Sequence, residues 1–150
     1  WDKDGLTEPG IFRNATGTWF LNTNGLSNIS FVFGMKGDIP VAGDWDSDSA
    51  TEPGYFRPSN GTWYLDFNND GIPNKTVKLG KRGDIPLTGN WDLDRMTEIG
   101  VRNKSGFWFL DNDNNGVPDT TIKFGSATDK PVVGDWDADG RTVVGFFRPS

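Results

Sequence analysis

A repeat of roughly 45 residues constrains the fold of this chain more than any other feature of its sequence. The repeat is marked by Trp1, Trp45, Trp91 and Trp136, which follow one another at intervals of 44, 46 and 45 residues. Three whole repeats cover residues 1–44, 45–90 and 91–135, and residues 136–150 begin a fourth. Repeats of this length usually form similar structural units that pack against their neighbours. We therefore interpret residues 1–150 as a single repeat array.

Each repeat contains four short segments with strand character and no helical period. In the second repeat these segments are Gly54–Arg57, Thr62–Leu65, Val77–Leu79 and a short strand through Pro86–Leu87. The prolines favour a sheet edge or a strand start for the fourth segment. Four short strands in this length match a propeller blade, so the sequence predicts an all-β fold of tandem four-stranded blade-type repeats. Because a closed propeller has about 4–8 blades, further blades, associated copies, or an open spiral or filament remain alternatives.

Composition excludes several classes of protein. The formal net charge of -6 argues against a nucleic-acid partner, and no apolar run is long enough to span a membrane. The chain has no Cys and no His, so zinc and copper sites and the commonest catalytic groups are missing. No signal peptide is visible. The chain begins inside a repeated motif, which suggests a processed or excised piece of something longer. We expect an extracellular or cell-surface location.

The motif around each repeat tryptophan is a candidate metal loop. In its fullest copy, oxygen ligands fall at positions 1, 3, 5, 7 and 9 of a nine-residue loop, the seventh being a backbone carbonyl: Asp44, Asp46, Asp48, Ala50 and Glu52. This alternation gathers oxygens around a hard cation, and Ca²⁺ fits it best. The tryptophan at position 2 cannot ligate, so we expect Trp45, Trp91 and Trp136 to be core anchors. A solvated acidic surface without metal is the alternative.

Three further copies depart from this pattern. Their candidate ligands are Asn90, Asp92, Asp94 and Glu98, then Asp135, Asp137 and Asp139, and at the chain start Asp2, Asp4 and Glu8. Asn90 is neutral, and Val143 stands where the last copy should carry Glu. Position 6 needs a sharp turn that favours Gly, but Ser49 and Arg95 occupy it in two copies. We therefore expect unequal occupancy.

A second type of acidic loop follows the second strand. Its candidate ligands are Asp66, Asn68, Asp70, Ile72 and Asn74 in one repeat, and Asp111, Asp113, Asn115, Val117 and Asp119 in the next, with Ile72 and Val117 acting through backbone carbonyls. Both copies keep Gly at position 6, so on turn grounds they are the better-formed calcium loops. A metal-free Asn/Asp/Gly hairpin turn is the alternative. The first repeat has a shorter version, Asn22–Gly25, which we interpret as a plain Asn-Gly hairpin.

These motifs resemble the FG-GAP-like (VCBS-like) repeats of bacterial and archaeal surface proteins, and more remotely the calcium-binding blades of integrin α-subunits. The resemblance covers essentially the whole chain and is clearest from Gly43 to Gly71. The second loop type resembles the loops of dockerins and thrombospondin type 3 repeats. The resemblance implies β-propeller blades, calcium in the loops and a role in adhesion or at the cell surface.

Five Asn-x-Ser/Thr sequons are candidate glycosylation sites: Asn14, Asn28, Asn60, Asn74 and Asn103. Three of them, Asn14, Asn60 and Asn103, fall in the same turn of successive repeats. Asn74 is also a candidate calcium ligand and is not expected to serve both purposes. The alternative is that Asn, Gly and Thr are simply common in turns.

Two function hypotheses follow. The first is a non-catalytic, calcium-braced structural or adhesive module that associates with further blades or copies, or with a surface protein or glycan. The second is a lectin-like module in which exposed aromatics such as Tyr64 or Phe109 stack on sugars. Burial of Trp19, Trp63 and Trp108 would remove most support from the second hypothesis. An enzyme is not expected, because the carboxylates that could act as a catalytic pair are already accounted for as candidate metal ligands in the repeated loops.

Overall fold

The computed structural model describes residues 1–3, 8–23 and 27–150, excluding the side chains of Ser27 and Asn28. The described part of the chain is all-β, as predicted, and contains thirteen strands and no helix, hence no helix able to cross a membrane. The strands are β1 (Gly10–Arg13), β2 (Thr18–Thr23), β3 (Ser27–Val32), β4 (Ile39–Gly43), β5 (Glu52–Arg57), β6 (Thr62–Leu65), β7 (Lys75–Lys78), β8 (Ile85–Gly89), β9 (Glu98–Arg102), β10 (Phe107–Asp111), β11 (Thr120–Lys123), β12 (Lys130–Gly134) and β13 (Val143–Phe147).

The strands form four antiparallel sheets whose boundaries are offset from the sequence repeats. The orders are β1-β2-β3, β4-β5-β6-β7, β8-β9-β10-β11 and β12-β13. The acidic loop reverses the chain and brings Gly43 opposite Glu52, so the last strand of one repeat pairs with the first strand of the next. The described sheets form no closed ring. Strand β4 lies beside β8, and β8 beside β12, so the first strands of successive sheets adjoin.

The local strand predictions are confirmed except at the third strand. Trp63 and Leu65 are buried and Tyr64 between them is half-buried, as a two-residue period requires. The predicted third strand, Val77–Leu79, is observed at Lys75–Lys78. Lys75 joins the ladder opposite Leu65, whereas the Leu79 N–H leaves it and donates to the Gly61 carbonyl at 3.1 Å. The prolines stand in edge strands, as expected: Pro40 in β4, Pro86 in β8 and Pro131 in β12.

The core lies between successive sheets and is built largely from aromatic rings. The largest cluster joins Trp45, Phe56 and Trp63 of the second sheet to Ile99 and Val101 of the third. Equivalent ring contacts connect the other sheets, with Phe33 against Tyr55 at 4.8 Å and Phe124 against Phe146 at 4.7 Å between ring centroids. Each sheet therefore buries its neighbour's apolar face, and no sheet encloses a core by itself.

The repeat tryptophans do not share one environment. Trp45 and Trp91 are 2% and 4% exposed, which confirms them as core anchors. The same prediction is wrong for Trp136, which is 63% exposed. The next sheet covers Trp45, since Ile99 and Val101 belong to its cluster. No described sheet packs over β12 and β13 in the same way, so Trp136 lies open.

A pair of hydrogen bonds joins successive acidic loops across the sheet interface. The Thr97 N–H donates to the Asp44 carbonyl at 2.7 Å, and the Asp44 N–H donates to Thr97 Oγ1 at 3.0 Å. Thr142 and Asn90 repeat the pair at 2.7 and 3.1 Å. Gly43 allows the approach, because a Cβ there would lie 2.4 Å from Thr97 Cγ2. The sheets are therefore held together by backbone bonds as well as by ring contacts.

Replacement of Thr97 by Val should test this connection. The change keeps the side-chain shape but removes the acceptor of the Asp44 N–H, so we expect a loss of about 1 to 2 kcal/mol in the free energy of unfolding. Urea denaturation measures it. Thr51, the exposed equivalent in the preceding loop, is the matched control, and Thr51→Val should change stability by less than about 0.5 kcal/mol. Equal effects of the two changes would contradict the proposed role of Thr97.

Candidate metal centres

The two types of acidic loop share one hydrogen-bond scheme at their first position. The Asp44 carboxylate accepts the backbone N–H groups of positions 5 and 6, each at 3.0 Å. In the second loop type, the Asp111 carboxylate accepts the same two N–H groups at 3.1 and 2.6 Å. Asp66 accepts that of position 6 at 2.7 Å, and Asp135 accepts both. One nine-residue loop is therefore built in both places of the repeat.

Except in the Asp135 copy, which has Val143 there, the side chain at position 9 closes the loop by accepting the N–H of position 2. Glu52 and Glu98 do so at 3.1 and 2.6 Å from the nitrogens of their tryptophans. Asn74 and Asp119 make the same bond in the second loop type, at 2.6 and 2.8 Å. In the first copy Glu8 accepts from the Trp1 amino group at 2.9 Å. The sequence identified these residues by their spacing, and in the structure their side chains accept the same hydrogen bond from position 2 of the loop.

Positions 4 and 6 of the loops have left-handed backbone. At position 6, Ser49 has a φ of 74° and Arg95 a φ of 77°, as the turn argument predicted. Gly71 and Gly116 occupy this position in the second type, at 81° and 91°. A non-glycine residue in this region costs about 1 kcal/mol, so at position 6 the Asp44 and Asn90 loops carry backbone strain that the second loop type avoids. The strain at position 4, where Leu93 has a φ of 78°, was not predicted.

Several of these acidic groups could hold a metal ion. Among the described residues, carboxylate oxygens lie within 4.8 Å of one another in four clusters: Asp44, Asp46, Asp48 and Glu52; Asp92, Asp94 and Glu98; Asp111, Asp113 and Asp119; and Asp135, Asp137 and Asp139. Three of the four belong to the first loop type. The Asp66 loop brings only two carboxylates, and its Asn68 amide donates to Asp70 at 3.0 Å.

Glu52 and Glu98 are the least compensated carboxylates in these clusters. Glu52 is 1% exposed and Glu98 is fully buried. In each, Oε2 accepts the tryptophan N–H while Oε1 has no hydrogen-bond partner. Burial raises the pKa of Glu52 to about 8 and that of Glu98 to about 9. A buried carboxylate with an unpartnered oxygen needs either a proton or a cation beside it.

Lys3, from the first copy of the acidic loop, forms an ion pair with the second copy. The Lys3 ammonium contacts Asp48, raising the pKa of Lys3 through their hydrogen bond. The Lys3 side chain is 55% exposed, so solvent weakens this ion pair. An amine therefore approaches the Asp44 cluster from its solvent side without reaching its buried glutamate. The spacing of residues within one loop does not indicate this contact, because Lys3 and Asp48 belong to different copies of the loop.

The remaining candidate ligands are less enclosed. Asp2 is exposed, and Asp4 lies outside the described residues. The Asn90 amide oxygen accepts the Leu93 N–H at 2.7 Å, so the third copy closes its first turn differently. The carboxylates at 135, 137 and 139 are exposed, with Val143 in place of the glutamate. Asn24 and Gly25 of the proposed plain hairpin also lie outside the described residues, although β2 and β3 pair antiparallel on either side.

The second loop type also contacts the preceding sheet. Asp66 and Asp111 are fully buried, and burial raises the pKa of Asp111. A Cβ on Gly116 would lie 3.0 Å from the Lys78 carbonyl of β7, so this loop packs closely on the neighbouring sheet. At position 7 the two loops contribute the exposed residues Ile72 and Val117, whereas Ala50 in the first type is buried.

The sequons and aromatic rings occupy different surroundings. Asn14, Asn60 and Asn74 are exposed, and Asn103 is half-buried; nothing is described of the Asn28 side chain, which belongs to β3. Trp19, Trp63 and Trp108 are all buried, at 4%, 0% and 0% exposure. Their indole N–H groups donate to backbone carbonyls at 3.1, 2.9 and 2.8 Å. These rings are therefore part of the core and offer no stacking platform.

Comparison of the chain with protein-family models, curated proteins and solved structures found no match. The candidate centres therefore rest on the residues of this chain alone.

Proposed function

We propose that this chain is a non-catalytic, calcium-stabilised repeat module of an extracellular or cell-surface protein. The observation that carries the proposal is the pair of buried glutamates, Glu52 and Glu98. The carboxylate of each glutamate belongs to a cluster of acidic oxygens, and each side chain is at most 1% exposed. One oxygen of each carboxylate has no hydrogen-bond partner. A cation in each cluster would compensate a charge that the protein itself leaves uncompensated.

Calcium is the ion that this donor set suits best. The clusters offer carboxylate oxygens, the spacing of the loops adds amide and backbone carbonyl oxygens as candidate ligands, and the chain has neither Cys nor His. Ca²⁺ accepts six to eight such ligands at about 2.3–2.6 Å in flexible geometry, whereas Zn²⁺ prefers nitrogen and sulfur. The alternating spacing of the ligands supports the same choice. The Asp44 loop, with four carboxylates, should bind most tightly.

The finer architecture that we propose is a row of propeller-type blades. The sheets straddle the sequence repeats, adjoin through their first strands and bury one another's apolar faces. Further blades or other copies of the chain would extend this row into a ring, spiral or filament. The resemblance to FG-GAP-like surface repeats favours an adhesive or structural role, with a surface protein or glycan as partner and with glycans on exposed sequons such as Asn14 and Asn60.

The lectin-like alternative has no specific observation in its favour. Its main candidates, the tryptophans of the second strands, are buried. Tyr64 stacks on Tyr55 at 4.6 Å between ring centroids, and the Arg57 guanidinium lies over it at 4.9 Å. That ring is therefore already engaged on its own sheet.

Calorimetric titration of the chelator-treated protein with Ca²⁺ tests the proposal. We expect saturable binding that is weakened about tenfold or more by Glu52→Gln, because the change removes a buried ligand charge. Asp137→Asn, in the exposed cluster without a glutamate, is the matched control and should leave the tightest site unchanged. Absence of binding heat, together with a melting temperature that Ca²⁺ does not move, would overturn the proposal.

A further inference from the structure

A buried aspartate recurs in the turn before the first strand of three sheets. Asp38, Asp84 and Asp129 are 2%, 8% and 2% exposed. Each accepts a backbone N–H from the residue three positions earlier, at 2.8, 3.1 and 2.7 Å respectively. The three turns therefore present the same carboxylate in the same orientation, and they differ in what faces it.

In two of the turns an arginine faces the carboxylate. Arg57 donates through Nε and Nη2 to Asp38 at 2.9 and 2.8 Å. Arg148 donates to Asp129 in the same way, at 2.7 and 2.9 Å. Such two-bonded guanidinium–carboxylate pairs are among the stronger and more specific polar contacts in proteins. The turn is thus built to receive a guanidinium group.

The middle turn lacks this arginine. Strand registers place Asn103 where the other sheets carry Arg57 and Arg148, one residue beyond the end of the ladder with β8. The Asn103 side chain bends back on its own turn, accepting the N–H groups of Ser105 and Phe107 at 2.9 and 3.0 Å. Among the described residues, no ammonium or guanidinium lies within ion-pair distance of Asp84.

A pocket lies between the turn that contains Asp84 and Asn103, the residue at the position of the arginine. It has a volume of about 250 Å³ and lies between residues 81–84 and 103–105. The equivalent pocket beside Asp38, where Arg57 is present, measures about 110 Å³. Asp84 forms part of the pocket wall and accepts the Lys81 N–H through Oδ2, and within the described part of the chain no hydrogen-bond partner is found for Oδ1. Three exposed cations surround it: Lys81, Arg82 and Lys104.

We propose that this pocket binds a small ligand that carries a guanidinium group and a carboxylate. The guanidinium would pair with Asp84 as Arg57 and Arg148 pair with their aspartates, and the ligand carboxylate would face the cations of the rim. A volume below about 300 Å³ restricts the occupant to a small molecule. Free arginine is the simplest member of this class. The site is separate from the acidic loops and does not depend on calcium.

Three related small molecules distinguish the contribution of the guanidinium group from that of the carboxylate. Protein made in a host without N-glycosylation is titrated with L-arginine, L-citrulline and agmatine while backbone amide shifts are recorded by NMR. We expect L-arginine to bind with a dissociation constant of about 1 mM and to shift residues 81–84 and 103–105. Citrulline, which is uncharged at the side chain, should bind about tenfold to a hundredfold more weakly. Agmatine, which lacks the carboxylate, should bind several-fold more weakly.

Two variants locate the binding. Asp84→Asn should weaken L-arginine binding about tenfold or more, because a near-isosteric neutral group replaces the carboxylate. Asn103→Arg should abolish binding by supplying the guanidinium internally, and should raise the melting temperature by about 2 to 4 °C. The second variant keeps the test decisive if the first fails to fold. Asn60→Arg, in the equivalent turn next to Arg57, controls for an added cation and should leave binding intact.

Three results would overturn the proposal. They are no shift with L-arginine, equal shifts with citrulline, and unchanged binding in Asn103→Arg. None of them bears on calcium, because the calorimetric titration addresses different residues.

Discussion

The melting temperature of the cation-free protein is expected to fall as the pH rises from about 4.5 to about 9, and saturating Ca²⁺ is expected to reverse the fall. In the folded chain without cation, burial raises the pKa of Glu52 to about 8 and that of Glu98 to about 9, from 4.5. At a pH between 4.5 and about 8, Glu52 and Glu98 are ionised in the unfolded chain but remain protonated in the folded chain. Rising pH therefore favours the unfolded chain.

The expected effect is large because both carboxylates are buried. Each unit of pKa difference corresponds to about 1.4 kcal/mol, so two glutamates together should lower the melting temperature by about 10 °C or more. In our proposal Ca²⁺ binds only the folded state, through the ionised carboxylates, so the stabilisation by Ca²⁺ should be largest at high pH. Thermal unfolding in chelator and in Ca²⁺, at pH 5 to 9, measures both trends.

The variant Glu52→Gln tests whether this pH dependence comes from the buried glutamate and not from other ionisable groups. Glutamine keeps an acceptor for the Trp45 N–H but carries no charge, so it should raise the melting temperature in chelator at pH 8.5 and reduce the gain from Ca²⁺. Asp137→Asn, in a separate and exposed cluster, should leave the melting temperature in chelator unchanged and should reduce the gain from Ca²⁺ less than Glu52→Gln does. A flat melting temperature across this pH range in chelator, or destabilisation by Glu52→Gln under those conditions, would contradict the role assigned to the buried glutamates.

Replacement of Trp63 by Ala is expected to destabilise the protein by about 3 to 5 kcal/mol. Trp63 is fully buried in the cluster between the second and third sheets, and its indole N–H donates to the Leu79 carbonyl at 2.9 Å. The change removes a large apolar ring, leaves a cavity and orphans a buried carbonyl. Because the cluster spans two sheets, the loss should also loosen the contact between them. Urea denaturation measures the free energy of unfolding.

Trp136→Ala is the matched control, because it deletes the same side chain from an exposed position. Trp136 is 63% exposed, so its removal should change the free energy of unfolding by less than about 1 kcal/mol. Comparable losses in the two variants would mean that Trp136 is covered in solution, and the description of the last sheet as open would then be wrong.

The loops were largely predictable from sequence because their geometry is local. Alternate oxygens at positions 1, 3 and 5, with a fourth at position 9, identify Asp44 and Glu52 as members of one loop from the sequence alone. The left-handed backbone at Ser49 and Arg95 followed from the same spacing. A nine-residue loop brings its own side chains together, so spacing alone constrains which atoms can meet.

Contacts between repeats were not predictable in this way. Thr97 bonds the backbone of Asp44, and Lys3 contacts Asp48, yet the spacing of residues within one loop indicates neither contact. One signal was available for the pocket beside Asp84. Aligning the repeats shows an arginine column that contains Asn103 in the third copy, opposite an aspartate that does not change. Its meaning depends on knowing that the two columns face each other.

The sequence by itself determined the repeat, the all-β character, the strand alternation and the composition of the acidic loops, because each depends on residues close together in the chain. Only the tertiary structure decided which strands share a sheet, which glutamate oxygens lack a partner and which tryptophans are buried. Trp45 and Trp136 occupy the same place in the motif, yet they are 2% and 63% exposed. The difference comes from a neighbouring sheet about fifty residues away, since burial depends on what packs against a side chain and not on the motif that contains it.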